Sequence, residues 1–171
     1  MLTLEAAQGV DIDEKYLAYE GDKDPVFLGK IKGDFLLFRQ RGRDLGEKMH
    51  NAFLYSQKKG NHMSVMIGTD APDMPVEFIN AAFESLSAHD IVLGPASDGG
   101  YYLIGLKEPD ADLFPGVQWG GNKVMSRTIK NARKLNKSVS LLEKWYDIDT
   151  FSDLEDYYRR IRCNGKERRS E

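Results

Sequence analysis

The chain alternates between two hydrophobic periods, and the switches between them mark its elements. Leu2, Leu4, Ala6 and Ala7, followed by Gly9, read as the last turns of an amphipathic helix closing at a glycine. Lys15–Tyr19 and Phe35–Phe38 are short strand candidates. Glu20–Asp34 between them is rich in Gly, Asp and Lys and is expected to be loop with one helical turn. Leu45, Met49, Ala52 and Phe53 fall at helical spacing, which predicts a helix over Asp44–Ser56 with Asp44 as its N-cap. Lys58–Asn61 then turns the chain into Met63–Ile67, an apolar run expected to be a strand buried on both faces.

Pro75 suits the first turn of a helix whose inner face carries Phe78, Ala82 and Leu86. Ile91–Leu93 and Tyr101–Leu106 are the next strands, separated by a polar turn at Ser97–Gly100. Asn122–Leu135 is helical with Val124, Met125, Thr128, Ile129 and Ala132 inward, and Ser138–Leu142 is the last strand. Thr150-Phe-Ser-Asp153 is a capping box opening a helix through Leu154, Tyr157, Tyr158 and Ile161. Strands alternating with helices, two of them apolar throughout, predict an α/β domain with a mostly parallel sheet and helices on both faces.

A length of 171 residues favours one domain, taken as residues 1–162, with 163–171 a charged tail expected to fray. The net charge of −3 gives no reason to expect nucleic acid or an acidic membrane surface as a partner. No apolar run is long enough to span a bilayer, and Met1-Leu-Thr-Leu-Glu lacks the order of a signal peptide. The single Cys163 can form no intramolecular disulfide, which suits a reducing compartment. A cytoplasmic protein is the expectation.

Ligands of open α/β sheets bind beyond the carboxyl ends of the strands, so the residues following each strand carry the chemistry. Gly68-Thr69-Asp70-Ala-Pro-Asp73 offers a glycine for close backbone approach and hard oxygen donors of the kind magnesium or manganese prefers. The competing reading is that Thr69, Asp70 and Asp73 only cap the turn. Ser97-Asp98-Gly99-Gly100 could be a plain hairpin turn, or a backbone wall for a sugar or phosphate with Asp98 on a hydroxyl. In Trp145-Tyr-Asp147-Ile-Asp149-Thr150, strand alternation puts Asp147 and Asp149 on one side, where both can face a single cation. Three acidic loops at one sheet edge repel one another, and a divalent metal relieves that conflict. His50, His62 and His89 have no Ser or Cys arranged beside them as a nucleophile.

In order and spacing, Gly68–Pro75, Gly94-Pro-Ala-Ser-Asp-Gly-Gly-Tyr-Tyr-Leu-Ile-Gly105 and Trp145–Thr150 resemble a glycosyltransferase family of bacteria and archaea. That family lies in the nucleotide-diphospho-sugar transferase superfamily, with a Rossmann-like GT-A fold, and is distantly similar to phospholactate guanylyltransferase. Asp44-Leu-Gly46-Glu47-Lys-Met49 and Trp119 with Val124 and Thr128 extend the resemblance to residues 2–158. It implies Asp70 as a metal-binding and catalytic acid, with Asp149 and Asp147 completing the metal site for Mg2+ or Mn2+. It implies Asp98 as a catalytic group, with Gly99 and Gly100 facing the acceptor or sugar. Gly46, Glu47, Gly68, Thr69, Trp119 and Lys123 would border the nucleotide or substrate.

Members of the family begin with a further strand and a glycine-rich basic phosphate loop, and this sequence starts inside the helix that follows. The missing strand lies mid-sheet in the family, so a homodimer joined near the gap or a rearranged sheet is expected. Lys123 stands where the family carries a small or polar residue, and it joins Arg127, Arg43 and Lys48 as the cations near the site. The implied activity is metal-dependent glycosyl transfer from a nucleotide-diphospho-sugar to a small acceptor. The alternatives are nucleotidyl transfer to a phosphorylated acceptor and a non-catalytic remnant that binds a ligand or partner.

Overall fold

The computed structural model describes residues 2–21 and 33–167. The loop expected over 22–32, the side chains of Leu2, Leu4, Ile161 and Cys163, and residues 168–171 lie outside the described part. The elements in chain order are α1 (Leu2–Gln8), β1 (Tyr16–Tyr19), β2 (Leu36–Arg39), α2 (Leu45–Lys58), β3 (Ser64–Ile67) and α3 (Val76–Ala88). They continue with β4 (Ile91–Pro95), β5 (Tyr101–Leu106), a 3-10 turn (Ala111–Leu113), α4 (Val124–Lys134), β6 (Val139–Leu141) and α5 (Phe151–Glu167). Helical backbone therefore continues over the first residues of the expected tail.

Four strands pair in the order β3-β5-β4-β6, and β1 pairs with β2 in a separate parallel ribbon. β4 and β6 run parallel, while β5 is antiparallel to both β3 and β4. Hence β3, β4 and β6 point one way, and β5 is the one reversed strand of the four. β4 and β5 form a hairpin, so Ser97–Gly100 does make the turn its two glycines allow. Among the described residues no ladder joins β1 to β3. β3 is half-buried along its length rather than enclosed on both faces, and among the described residues β5 alone pairs with it.

Helices cover both faces of the four-stranded sheet. On one face α1 and α3 enclose Ile79, Ala82, Leu86, Val92, Tyr102 and Leu103; on the other, α2 and α4 enclose Met49, Phe53, Leu93, Ile104 and Ala132. In α3 the buried stripe is Ile79, Ala82 and Leu86, while Phe78 turns toward the aromatic rings of Tyr102 and Trp145. In α2 the stripe is Gly46, Met49, Phe53 and Ser56, and Leu45, expected inward, is exposed. The register of β4 on β5 slips between Gly94 and Pro95, leaving Tyr102 as the extra residue. Its ring lies over Gly94, where a Cβ would stand 2.4 Å from it. Among the described residues no helix is long and apolar enough to cross a membrane.

Candidate metal and nucleotide site

Because β3, β4 and β6 share a direction, the chain leaves all three at the same edge. The segment after β6 continues along β4: the Trp145 N–H donates to the Pro95 carbonyl at 2.9 Å, and Ser97 Oγ to the Trp145 carbonyl at 3.1 Å. The Ile148 N–H then donates to the Asp70 carbonyl at 2.9 Å, stitching this segment to the loop after β3. The Tyr102 hydroxyl, placed by the bulge over Gly94, donates to the Glu143 carbonyl at 2.9 Å and holds the same segment from below. Backbone pairing thus delivers the three acidic loops to one place.

There Asp98, Asp147 and Asp149 each bring a carboxylate oxygen within 4.8 Å of the other two. Asp98 was expected to face substrate, and the hairpin carries it into this group. The Gly100 N–H steadies one of its oxygens at 2.8 Å. Asp70 stands beside the trio, folded back over Gly68, where a Cβ would lie 2.5 Å from its Oδ1. The Thr150–Asp153 box forms as expected, with the Asp153 carboxylate accepting from Thr150 N–H at 2.8 Å and from its hydroxyl at 2.7 Å. That leaves the side chains of Asp147 and Asp149 uncommitted by the cap. Among the described residues none of Asp70, Asp98, Asp147 and Asp149 has an ion pair.

Burial pushes the Asp147 carboxyl up, and the charges of Asp98, Asp149 and Asp70 push it further. Asp149 is raised by burial and then by Asp70, Asp98 and Asp153. These are hard oxygen donors crowded together, and the donor set fits a divalent metal such as Mg2+ or Mn2+. The sign of the pH effect follows. A raised native pKa means the folded state holds more protons than the unfolded chain just above the ordinary carboxylate range. Metal-free stability should therefore rise as pH falls from 7.5 toward 5. Thermal unfolding at the two pH values checks this; the gain should shrink in Asp149→Asn, where buried Asp147 still titrates high, and vanish with manganese bound. Asp90 and Asp153, which are held low first by Ser138 and Thr150 side chains, lose their contribution only at lower pH.

The other expected residues divide. Gly99 and Gly100 line the hairpin turn, and Met125 N–H donates to the Gly99 carbonyl at 3.1 Å, so the turn rests on the start of α4 beside Lys123. Gly68 and Thr69 lead into Asp70 at the end of β3. Gly46 and Trp119 form a separate contact: a Cβ on Gly46 would stand 2.9 Å from both Trp119 Cζ2 and Phe114 Cβ. Glu47 is taken up by Arg43, whose guanidinium side chain first, and then its backbone N–H, holds the carboxyl down to about 2. Lys48 pairs with Glu20 at 2.7 Å. Arg43 and Lys48 are thus spent on carboxylates, and among the described residues Lys123 and Arg127 have no such partner. Replacing Gly46→Ala should destabilise by about 1–2 kcal/mol despite alanine's better helix propensity, because the added methyl overpacks against two rings. Urea unfolding checks it.

One group was not foreseen. Tyr146 stacks on Trp145 with centroids 4.9 Å apart, takes the Arg160 guanidinium over its other face at 3.3 Å, and hydrogen-bonds Asp73. Burial raises Asp73 against the pull of Arg160. This clamp fixes the residue next to Asp147, and only the docking of α5 brings Arg160 to it.

A family model described as "Uncharacterized protein conserved in bacteria (DUF2064)" matches residues 3–121. No curated protein matches the chain. Among solved structures, a "putative nucleotide-diphospho-sugar transferase" from Desulfovibrio desulfuricans is 33% identical with a TM-score of 0.83, over 93% of this chain and 71% of that one. The 4-diphosphocytidyl-2C-methyl-D-erythritol synthase of Anaerococcus prevotii, 12% identical, has a TM-score of 0.67 over 94% and 84%. The Rv0371c protein of Mycobacterium tuberculosis, in a complex with manganese, is 17% identical with a TM-score of 0.54 over 93% and 83%. The fold is that of the nucleotide-diphospho-sugar transferases.

Proposed function

The chain belongs to the DUF2064 family, and on that premise we propose that it is a metal-dependent transferase acting on a nucleotide-diphospho-sugar. The carboxylate group of Asp98, Asp147 and Asp149, with Asp70 beside it at the carboxyl edge of the sheet, carries this reading. These acids would hold a divalent cation, which when bound screens the donor's phosphates and the charge gathering on the leaving nucleoside diphosphate. Gly99 offers a side-chain-free stretch of the turn to the sugar, and the uncovered part of the Trp119 ring, which packs on Gly46, a flat apolar surface beside the nucleotide. Asp98 orients the acceptor hydroxyl, whose oxygen forms the new bond to the anomeric carbon as the bond to the nucleoside diphosphate breaks. The hydroxyl proton passes to a site carboxylate. A cytoplasmic location, supported by the lone cysteine, belongs to the same reading.

A second reading is nucleotidyl transfer, in which a phosphate oxygen of the acceptor attacks the α-phosphorus of a nucleoside triphosphate and expels pyrophosphate. Lys123 and Arg127, beside the Asp98 turn and without a carboxylate partner among the described residues, favour it. Product analysis with manganese present separates the two: nucleoside diphosphate release supports glycosyl transfer, and pyrophosphate release supports nucleotidyl transfer. Absence of both products, together with absence of manganese or nucleotide binding by calorimetry, would leave a binding remnant. We also propose a homodimer closed along the edges of β1 and β3 that no described strand covers. Sedimentation as a monomer at micromolar concentration would reject it.

A further inference from the structure

Beyond the acid cluster, the first two turns of α4 form one wall of a cleft of about 330 Å³ lined by Gly116, Gln118, Lys123, Ser126, Arg127 and Lys130. Lys123, Arg127 and Lys130 follow one another at i, i+4 and i+7, so one helix face presents three cations to the same space. Among the described residues none of the three has a carboxylate partner. The first turn of α4 carries no acid either. Like charges at this spacing weaken a helix, so an ordinary solvated face would intersperse acids among them. Here the Gln118 amide joins the cations as a donor matched to the oxygens of a phosphate, while the Ser126 hydroxyl donates to the Lys123 carbonyl at 3.0 Å and only lines the cleft.

The position adds chemistry. The Met125 N–H to Gly99 bond sets the start of α4, which walls the cleft, against the turn that bears Asp98 and so next to the carboxylate group. A reactant lying across that turn meets acids suited to a metal-bridged polyphosphate on one side and bare cations on the other. We propose that this cleft binds the phosphate monoester of the acceptor, with Arg127 and Lys130 as its anchors and Lys123 at the side facing the turn. The role of the bound molecule as acceptor rests on the transferase reading; the phosphate site itself does not.

The test is a titration of the full chain followed by the backbone amide resonances of α4, at low salt and without metal or nucleotide. The probes are glycerol 3-phosphate, inorganic phosphate and uncharged glycerol. Glycerol 3-phosphate should shift the amides of residues 123–130, glycerol should not, and the monoester should bind more tightly than inorganic phosphate. The double variant Arg127→Gln, Lys130→Gln removes two exposed side chains, and its circular dichroism should match the parent. Its affinity for the monoester should fall at least about tenfold, as expected for lost hydrogen bonds to a charged group. Equal binding by the variant, shifts confined to other elements, or tighter binding of the inorganic ion would overturn the proposal. If the parent binds the monoester in the cleft but no manganese at the acids, the cleft stands and the transferase reading falls.

Discussion

Replacing Asp149→Asn is expected to abolish stabilisation by manganese while raising the melting temperature of the metal-free protein. Asp149 is held close to Asp98 and Asp147 by backbone pairing that the substitution leaves alone, since the Ile148 N–H and the Thr150–Asp153 box supply the local structure. Asparagine keeps the shape and removes one of four crowded negative charges. Without metal, that relieves the repulsion now raising Asp147. With metal, it removes a ligand. A cation at a hundred times its dissociation constant stabilises the native state by about 2.7 kcal/mol. For a chain of this size that is roughly 5–10 °C in melting temperature. Calorimetric scans of parent and variant, with and without manganese, measure both halves. An unchanged manganese response in the variant would place the cation away from these acids, whereas Asp90→Asn, which frees Ser138 at the opposite end of β4, should leave the response intact.

Gly99→Ala is expected to be the most damaging single methyl near the site. Gly99 has φ +95°, a region that costs other residues about 1–2 kcal/mol. Its Cβ would also stand 2.3 Å from the Asn122 carbonyl oxygen and 2.7 Å from the carbonyl carbon. Those are backbone atoms at the entrance to α4 and cannot swing aside, so overpacking adds about another 1–3 kcal/mol. The total, about 3 kcal/mol, would lower the melting temperature by roughly 6–12 °C. Relief can come only by parting the turn from α4, which breaks the Met125 to Gly99 bond and moves Asp98, so manganese affinity should fall as well. Gly60→Ala is the control: Gly60 has φ +101° with nothing within 4 Å, so it isolates the conformational cost from the clash. Equal losses at the two positions would refute the contact argument.

What the linear sequence determined by itself is whatever depends on neighbours along the chain. The Asp44 cap, with Glu47 N–H donating to its Oδ1 at 2.9 Å, and the Thr150–Asp153 box are local hydrogen bonds between residues three apart, and both formed. The inward stripe of α4 was likewise legible except for Asn131, whose amide is buried because it bonds the Leu113 and Pro115 carbonyls. The acids after each strand could be read as a candidate site because strands sharing a direction deliver their carboxyl ends to one edge.

Which acids would meet was a different matter. Asp98 joined Asp147 and Asp149 because β5 runs against β4 and a hairpin, with its bulge at Tyr102, sets the height of the turn. No local period encodes that direction. Leu45 faces solvent and Gly46 is buried because Phe114 and Trp119, distant in sequence, pack against that side of α2. The clamp of Arg160 on Tyr146 and the clustering of bare cations on α4 next to the Asp98 turn depend in the same way on long-range docking. Caps and periodicity act over one helical turn, whereas burial, electrostatic crowding and site geometry arise between segments that meet only when the sheet is assembled.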